Sequence, residues 1–421
     1  MNIWLIHPAE PVPISGNTRL FRYGKLCGLL AKRGHVATQW ASTFDHFSKQ
    51  QRTRGACLFE VEAGYRVQLV YGSPYKKHVG FARMRSQRKV AQNFTRCAEK
   101  SVRPDVIVVS LPTLELATTV LAYAEARKIP VVVDIRDLWP DVFLTAFPSW
   151  AQSFVRPLFR KYEQQATDIC RRASVLTAVS DTYLSWGLEK AHRPRNLHEK
   201  AVYLAYQKPV VAEYDRLRIL QELDSKGIHE KRVIRCCFFG MLGRSAGLRS
   251  IAGLATHLVR QGHGDIEFVL CGTGPRENDL LKMIQDVPNI KYLGWQDSTE
   301  IACLMERSDI GLAIYQEGVL QSIPNKPVEY LAGGLPVLTT LRGELEALLN
   351  TYNCGKVFQP NDIESMGEWL IHCKQNHATM NYLSQQARQL YTDQFDATKV
   401  YEEFIDEIEC IPQRFQAVVA A

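Results

Sequence analysis

The sequence predicts an α/β protein built from two doubly wound domains in tandem. Short β-rich runs alternate with amphipathic stretches from residue 3 onward, and a second alternating series begins near residue 233 after an irregular segment. The chain of 421 residues is also too long for one core and suits two domains of roughly 150 to 200 residues. Alternating strands and helices form parallel sheets covered on both faces. Ligands bind beyond the carboxyl ends of such strands, so we expect a cleft between two facing domains.

The first domain is predicted to span residues 1–204. Its predicted elements are, in order, 3–6, 17–33, 36–40, 106–110, 114–127, 131–135 and 174–179. The segment "AHRPRNLHEKAVYLAYQKPVVAE" at 191–213 then combines prolines and charges without a sustained period, as expected for an interdomain link.

The second domain is predicted to span residues 205–395. Its predicted elements are 233–239, 248–261, 266–271, 277–285, 290–293, 310–314 and 336–340. The tail beyond Met380 has a helical period, with Tyr401, Phe404, Ile405 and Ile408 on one face. We therefore expect residues 396–421 to form a helix that leaves the second domain and packs back toward the first.

Composition excludes several classes of protein. With 46% hydrophobic and 23% charged residues, the chain is neither disordered nor fibrous. Its eleven cysteines show neither metal-ligand spacing nor a secreted disulfide pattern, which indicates a reducing cytoplasm. No stretch approaches the roughly 20 apolar residues of a spanning helix, so any membrane contact is predicted to be peripheral. A phosphate-binding Gly-Lys-Ser/Thr motif is also absent.

Two glycine-rich turns follow predicted strands in the second half. In "FFGMLGRSAGL", from Phe238 to Leu248, a strand leads through glycines into a helix, and Arg244 adds a positive charge. Backbone N–H groups at a helix start can bind phosphate, although a tight turn that uses glycine for its positive φ explains the pattern equally well. "CGTGPREN", from Cys271 to Asn278, lacks the third glycine of a dinucleotide fingerprint and reads more simply as a turn.

The stretch "SIPNKPVEYLAGGLPVLTT" has a polar entrance to an otherwise apolar helix and strand. Pro324 is tolerated at a helix start, where Asn325 and Lys326 place donors and a charge. Glu329 follows one turn later and can accept two hydroxyl hydrogen bonds. We interpret the entrance as the holder of a diphosphate sugar nucleotide; the alternative is a surface pair of Lys326 and Glu329 that contributes little.

These motifs carry a family resemblance. "NKPVEYLAGGLPV", "GMLGRSAGL" and "CGTGPREN" resemble the donor half of retaining glycosyltransferases of family 4, which have the GT-B fold of two Rossmann-like domains facing across a cleft. In the first half, "SGNTRLFRYGKLCGLLAKRGHV" is similar to the glycine loop, helix and next strand of such enzymes. "STFDHFSKQQR" and "DIRDLWPD" resemble bacterial members that build surface polysaccharides. The resemblance spans roughly residues 1 to 395.

The resemblance implies roles for individual residues. Glu329 matches the glutamate that holds the nucleotide ribose, whereas Gln321 stands where the family has its first glutamate. The usual Arg and Lys of the phosphate loop are replaced at Met241 and Ala246, which leaves Arg244 and Lys326 as the nearest cations. The implied donor-binding residues are Gly16, Gly240, Gly243, Arg244, Gly247, Gly272, Gly274, Pro324, Asn325, Lys326 and Glu329.

The implied reaction transfers a sugar from a nucleoside diphosphate sugar, with UDP expected, to an acceptor hydroxyl with retention of the anomeric configuration. A helix N-terminus, Arg244 and Lys326 would stabilise the leaving diphosphate, so no cofactor or metal is expected, and the chain accordingly lacks an Asp-x-Asp motif. Asp137 is the candidate to position or deprotonate the acceptor, and His46 and Arg136 are candidate acceptor-binding residues. Asp137 serves equally well as a salt-bridge partner of Arg136 or Arg19, and His46 as a packed structural residue.

Residues 74–94, "PYKKHVGFARMRSQRKVAQNF", interleave cations with apolar side chains. This pattern predicts peripheral contact with an anionic membrane or a lipid-linked saccharide acceptor at the inner face of the cell membrane, or simply a solvated helix. No nucleic-acid module accompanies it. Two other functions are compatible with the sequence: a non-hydrolysing sugar-nucleotide epimerase, and a non-catalytic nucleotide-binding scaffold.

Overall fold

The structure, a computed structural model, describes residues 1–14, 20–77, 80–230, 234–319 and 321–420. It divides into two compact units. Unit 1 comprises Met1–Tyr203 together with Tyr401–Ala421, and unit 2 comprises Leu204–Val400. Each unit has a mostly parallel sheet with helices on both faces, which confirms the predicted α/β class and the two doubly wound halves.

Unit 1 is built on a seven-stranded sheet with the order β3-β4-β2-β1-β5-β6-β7. Its strands are β1 (Asn2–Ile6), β2 (Val36–Ser42), β3 (Cys57–Glu62), β4 (Tyr65–Val70), β5 (Val106–Leu111), β6 (Val131–Ile135) and β7 (Val175–Ala178). Its helices are α1 (Arg22–Lys32), α2 (Phe81–Ala98), α3 (Leu114–Glu125), a 3-10 helix (Asp141–Ala146), α4 (Ser149–Arg172) and α5 (Asp181–Ala191). The central strands are buried on both faces, as their continuous apolar runs require.

The edge of this sheet differs from the sequence prediction. Strand β3 pairs antiparallel with β4 through a short turn, so the sheet is not wholly parallel. The exposed and half-buried residues of β3 alternate, because one face of this edge strand remains in solvent. The predicted helix at 17–33 begins at Arg22 within the described residues.

Unit 2 has a six-stranded parallel sheet with the order β10-β9-β8-β11-β12-β13. Its strands are β8 (Arg235–Phe239), β9 (Glu267–Cys271), β10 (Ile290–Tyr292), β11 (Ile310–Ala313), β12 (Val337–Thr339) and β13 (Gly355–Val357). Its helices are α6 (Glu213–Ser225), α7 (Leu248–Arg260), α8 (Glu277–Ile284), α9 (Ser298–Glu306), α10 (Asn325–Ala332), α11 (Glu344–Tyr352), α12 (Ile363–Gln375) and α13 (His377–Gln394). The core lies between the sheet and these helices.

The last helix, α14 (Ala397–Ala420), begins in unit 2 and continues into unit 1. Arg33, just after α1, forms ion pairs with three carboxylates of α14: with Asp406 at 2.6 Å, with Glu409 at 3.3 Å, and with Glu402. Tyr401 and Phe404 on the same helix are buried. The C-terminal segment 401–421 is thus an integral part of unit 1.

None of the helices formed by the described residues combines the length and the apolarity that crossing a bilayer requires.

Candidate functional site

The candidate site of unit 2 lies where the strand order changes direction. The chain runs from the central strand β8 outward to β9 and β10, then returns to β11 on the other side of β8. Open α/β folds bind ligands in the crevice at the carboxyl end of the sheet at such a reversal. Here the loops that follow β8 and β11 border that position, and a backbone bridge between Ala246 and Tyr315 joins them. All the described donor-binding candidates of unit 2 lie in these loops, in the loop after β9 or on α10.

Glycines let the loops after β8 and β9 approach each other closely. Gly272 has φ of +130°, and a Cβ at this position would overlap the carbonyl oxygen of Gly240. At Gly274 a Cβ would lie 2.6 Å from the carbonyl oxygen of Leu242, whose N–H donates to Thr273 O at 2.9 Å. Both glycines are therefore required for packing of backbone on backbone, which is the role of a turn that the sequence also allowed.

The loop from Gly240 to Gly247 presents unused backbone donors. Within the described part of the chain, the N–H groups of Gly243, Arg244 and Ser245 have no protein acceptor, whereas Gly247 N donates to Ile314 O at 2.9 Å. Gly247 is the N-cap of α7, so the positive end of this helix's dipole adjoins the loop. The Arg244 side chain is exposed. The loop thus combines N–H donors without a protein acceptor, a helix start and an exposed cation, which is the chemistry of an anion site.

Lys326 projects from the first turn of α10 into the crevice. Its Nζ lies 4.0 Å from the centre of the Phe238 ring. A Cβ at Gly240, where φ is +124°, would lie 2.5 Å from the Lys326 Cε, so only glycine leaves room for this side chain. Burial lowers the pKa of Lys326 to about 8, and the charge of Glu329 acts in the opposite direction. Lys326 therefore lies against the start of the loop from Gly240 to Gly247, and not on the open surface.

Pro324 is the N-cap of α10, and it has the extended backbone that starts a helix. Asn325 is exposed and Glu329 is half-buried one turn further along the helix. Gln321, at the family's first glutamate position, is exposed in the loop before the helix. The structure thus brings Gly240, Lys326 and Glu329 together at one crevice.

Two family models match the chain. "Glycosyltransferase Family 4" matches residues 24–197, and "Glycosyl transferases group 1" matches residues 234–376. The two matches fall in different units and do not overlap. The chain is a GT-B glycosyltransferase. No curated protein matches its sequence.

Solved structures show the same fold as this glycosyltransferase. Sucrose-phosphate synthase from Thermosynechococcus elongatus is similar with a TM-score of 0.70 and 11% identity over 100% of both chains. HepE from Anabaena in complex with UDP has a TM-score of 0.65 and 14% identity over 97% of this chain and 99% of its own. WaaG, a glycosyltransferase involved in lipopolysaccharide biosynthesis, has a TM-score of 0.59 and 15% identity over 96% and 99%.

In unit 1 of the glycosyltransferase, the carboxyl end of the sheet is occupied by the unit's own side chains. Asp134, at the end of β6, accepts hydrogen bonds at 3.1 Å from the guanidinium of Arg22 and from the Tyr23 hydroxyl. Both side chains of the Arg22–Asp134 pair are fully buried. Arg22 also donates to the carbonyls of Val202 and Tyr203, the latter at 2.8 Å. Arg22 therefore ties α1 to β6 and to residues 202–203, where the first part of unit 1 ends.

Arg136, a predicted acceptor-binding residue, pairs with the buried carboxylate of Glu10. The other Glu10 oxygen accepts from the Tyr23 N–H at 3.0 Å. His7 follows β1 directly, and its Nδ1 accepts from the Ala9 N–H at 3.1 Å. Burial and the charge of Arg136 lower the pKa of His7 well below its usual value, so His7 is neutral at pH 7.

Asp137 follows in the same loop and is half-buried. Its carboxylate accepts from the Leu138 N–H at 2.9 Å, and burial raises its pKa although that hydrogen bond opposes the shift. A carboxylate with a raised pKa is a suitable proton acceptor for a hydroxyl, and Asp137 stays the candidate acceptor-side residue. Arg136 forms its ion pair with Glu10, and the other alternative partner, Arg19, lies outside the described residues.

His46 lies among aromatic side chains, away from Asp137 in the chain. Its Nδ1 is 2.6 Å from the Tyr75 hydroxyl, and its ring packs edge-on against Phe47. This is the packed setting that the sequence offered as the alternative to an acceptor contact. Gly16, the one donor-binding prediction in unit 1, lies outside the described residues.

Two features of the site were not foreseen from the sequence. Glu10 and Arg22 are buried charged residues at the carboxyl end of the unit 1 sheet, and neither is among the residues that the sequence predicts for the site. Their partners are more than 100 positions away in the chain, so local spacing gives no signal for them. Among the residues that the structure describes, no group of three His, Cys, Asp or Glu side chains is arranged to hold a metal ion.

Proposed function

We propose that this glycosyltransferase transfers a sugar from a UDP-sugar to an acceptor hydroxyl with retention of the anomeric configuration. The acceptor is a lipid-linked intermediate of surface-polysaccharide synthesis. Structures of the same fold support the donor: HepE from Anabaena has been solved with UDP and with UDP-glucose, and an Escherichia coli protein with UDP-2-fluoro glucose. WaaG, another neighbour, acts in lipopolysaccharide biosynthesis.

The observation that carries the proposal is the position of Lys326. Its ammonium group is half-buried beside a loop with free N–H donors at the start of α7, and its pKa of about 8 leaves it mostly charged at pH 7. A diphosphate bound there would gain Lys326 Nζ, the N–H groups of the loop and the exposed Arg244 as partners. Glu329, one turn along α10, would accept hydrogen bonds from the ribose hydroxyls.

These residues would act on the leaving group. As the bond between the sugar and the diphosphate stretches, negative charge grows on the phosphate oxygen, and fixed cations and N–H dipoles stabilise it more in the transition state than in the ground state. The acceptor hydroxyl would attack from the face of the leaving group, and its proton would pass to the departing phosphate. Asp137 in unit 1 would orient the acceptor.

Isothermal titration calorimetry tests the donor site directly. UDP, GDP and ADP are titrated without added metal into the wild type, into Glu329→Ala and into Glu317→Ala, an exposed glutamate in the loop after β11. We expect UDP to bind the wild type, Glu329→Ala to weaken binding by roughly tenfold or more because charged hydrogen bonds are lost, and Glu317→Ala to bind like the wild type.

Absence of binding by every nucleotide would contradict the donor site. Equal loss in both variants would show that Glu329 has no specific role. Conversion of a UDP-sugar to its epimer without an acceptor would contradict the transferase assignment.

We further propose that unit 1 contacts the membrane peripherally at the inner face through residues 74–94. Val90 and Phe94 of this segment belong to the core, whereas Arg85 and Arg88 are exposed and Phe81 is 91% exposed. The described part of the segment therefore presents Arg85, Arg88 and the Phe81 ring to solvent, whereas Val90 and Phe94 hold α2 in place.

A further inference from the structure

Helix α4 carries an apolar stripe on its solvent-facing side. Trp150, Phe154 and Leu158 are 75%, 79% and 76% exposed. Their spacing of four places them on one face of the helix, over a length of about 12 Å. The later part of α4 supplies Ala166, Ile169 and Cys170 to the core of unit 1, so the helix is anchored there, and none of the three stripe residues belongs to that core.

The residues around the stripe are basic. From Phe147 to Tyr162 the sequence holds Arg156, Arg160 and Lys161 and no acidic residue. Arg156 pairs with Glu163 at 3.0 Å, whereas Arg160 and Lys161 are exposed and have no ion-pair partner among the described residues. Lys161 is eleven residues after Trp150 and so continues the line of the stripe.

Helix α2 and the segment before it are also basic, although Arg88 lies 3.8 Å from the carboxylate of Glu115 on α3. From Gly72 to Ala98 there is no acidic residue, and the cations are Lys76, Lys77, Arg83, Arg85, Arg88, Lys89 and Arg96. The start of α2 is joined to α4 by a continuous chain of aromatic contacts. The Arg83 guanidinium lies 5.5 Å from the Trp139 ring centre, Trp139 lies 4.7 Å from Phe143, and Phe143 stacks on Phe159 of α4 at 6.0 Å.

We propose that α4 is the membrane-inserting element of unit 1, and that its stripe of Trp150, Phe154 and Leu158 enters the headgroup region of an anionic bilayer. Tryptophan, phenylalanine and leucine beside lysine and arginine form the side-chain set that binds such an interface. A second copy of the chain is a poorer occupant, because a symmetric contact would bring the same cations against each other. This inference goes beyond the proposed transfer reaction and assigns a role to a helix outside residues 74–94.

Vesicle sedimentation with the full chain tests it. The wild type should bind vesicles of phosphatidylcholine mixed with phosphatidylglycerol, and should bind weakly to phosphatidylcholine alone. The variant Trp150→Ser/Phe154→Ser/Leu158→Ser should lose about tenfold or more in vesicle affinity. Its matched control, Leu197→Ser/Val210→Ser/Tyr214→Ser, alters three side chains at least as exposed and should bind like the wild type.

A second pair of variants tests whether vesicle binding depends on the cations beside the stripe. Arg160→Gln/Lys161→Gln should weaken binding to the anionic vesicles by about fivefold per charge removed, while Lys282→Gln/Lys356→Gln, which alters exposed lysines of unit 2, should not. UDP binding should be unchanged in all four variants, which separates this inference from the donor site. Equal vesicle binding by the stripe variant and the wild type would overturn the proposal. So would concentration-dependent self-association, measured by analytical ultracentrifugation, that the stripe variant abolishes.

Discussion

The two units differ in what they place at the carboxyl ends of their parallel strands. In unit 1 the strand order reverses between β1 and β5, and in unit 2 between β8 and β11. Near the first reversal the chain places buried, paired charges, with Arg22 held by Asp134. At the second it places glycine backbone, unused N–H groups and Lys326.

The comparison shows that the same α/β architecture can fill the carboxyl end of its sheet with its own paired side chains or can leave hydrogen-bonding groups there for a ligand. Two buried charges that satisfy each other leave little to offer a ligand, and they fix the loops around them. Glycine loops beside a partly desolvated lysine leave hydrogen-bond donors without a protein partner, and a ligand can use them. Unit 1 would therefore contribute rigidity at this edge, and unit 2 would contribute binding.

The largest expected effect comes from removing one partner of the buried Arg22–Asp134 ion pair in unit 1. Arg22→Met leaves the Asp134 carboxylate buried without its ion pair, and we expect it to lower the free energy of unfolding of unit 1 by about 3 to 5 kcal/mol. Urea denaturation followed by tryptophan fluorescence measures the change. The double variant Arg22→Met/Asp134→Leu removes both charges and should recover much of the loss. Equal destabilisation in the single and double variants would show that the ion pair is not the cause.

The next effect concerns the glycine-rich loops that follow β8 and β9 in unit 2. Gly272→Ala introduces a Cβ against Gly240 O at a positive φ, so we expect a loss of about 3 kcal/mol in unfolding free energy and weaker UDP binding. Gly318→Ala is the matched control, since Gly318 has φ of +82° but nothing within 4 Å, and it should lose only about 1 kcal/mol. Similar losses in the two variants would mean that backbone conformation, and not the close approach, is decisive.

The smallest expected effect is a gain in stability. Lys326→Met removes a charge that burial disfavours, so at pH 7 the free energy of unfolding should rise by about 2 kcal/mol while UDP affinity falls. Between pH 8 and 10.5 the unfolded chain holds the lysine proton more tightly than the folded one does, so the wild type gains stability with rising pH and the difference shrinks. Lys282→Met, at an exposed lysine, should change stability by about 0.5 kcal/mol or less.

The same titration predicts the pH dependence of donor binding. Because Lys326 loses its proton as the pH rises through about 8, UDP affinity of the wild type should decline above that pH. Calorimetry at a series of pH values measures the decline. Lys326→Met should lack this step, and an identical profile in both proteins would assign the pH dependence to another group.

Much of the fold was predictable because periodicity is local. The strands and helices of unit 2 from β8 to β12 alternate in short apolar runs, and their order along the chain specifies a parallel sheet. The hairpin of β3 and β4 is not among the predicted elements, although "CLFEVEAGYRVQLV" alternates, because a pattern of strands that alternate with helices does not include two adjacent strands.

The candidate site likewise has parts that the local sequence predicts and parts that only tertiary folding creates. The polar entrance at Pro324, Asn325 and Lys326 is visible in sequence because it interrupts a regular pattern. That Lys326 packs over Phe238 is not, since the two residues meet only when α10 docks beside β8. The Arg22–Asp134 pair is likewise a product of tertiary folding across 112 positions.

The path of α14 has a consequence for the order of events during synthesis. Residues 204–400 of unit 2 are contiguous, so that unit can complete its fold once the ribosome has released them. Unit 1, although its sequence begins the chain, lacks the carboxylates that pair with Arg33 until the last segment emerges. The first half of the protein to be translated is therefore the last to be finished, and a fragment ending at Tyr203 would lack the carboxylate partners of Arg33 and the buried side chains of Tyr401 and Phe404.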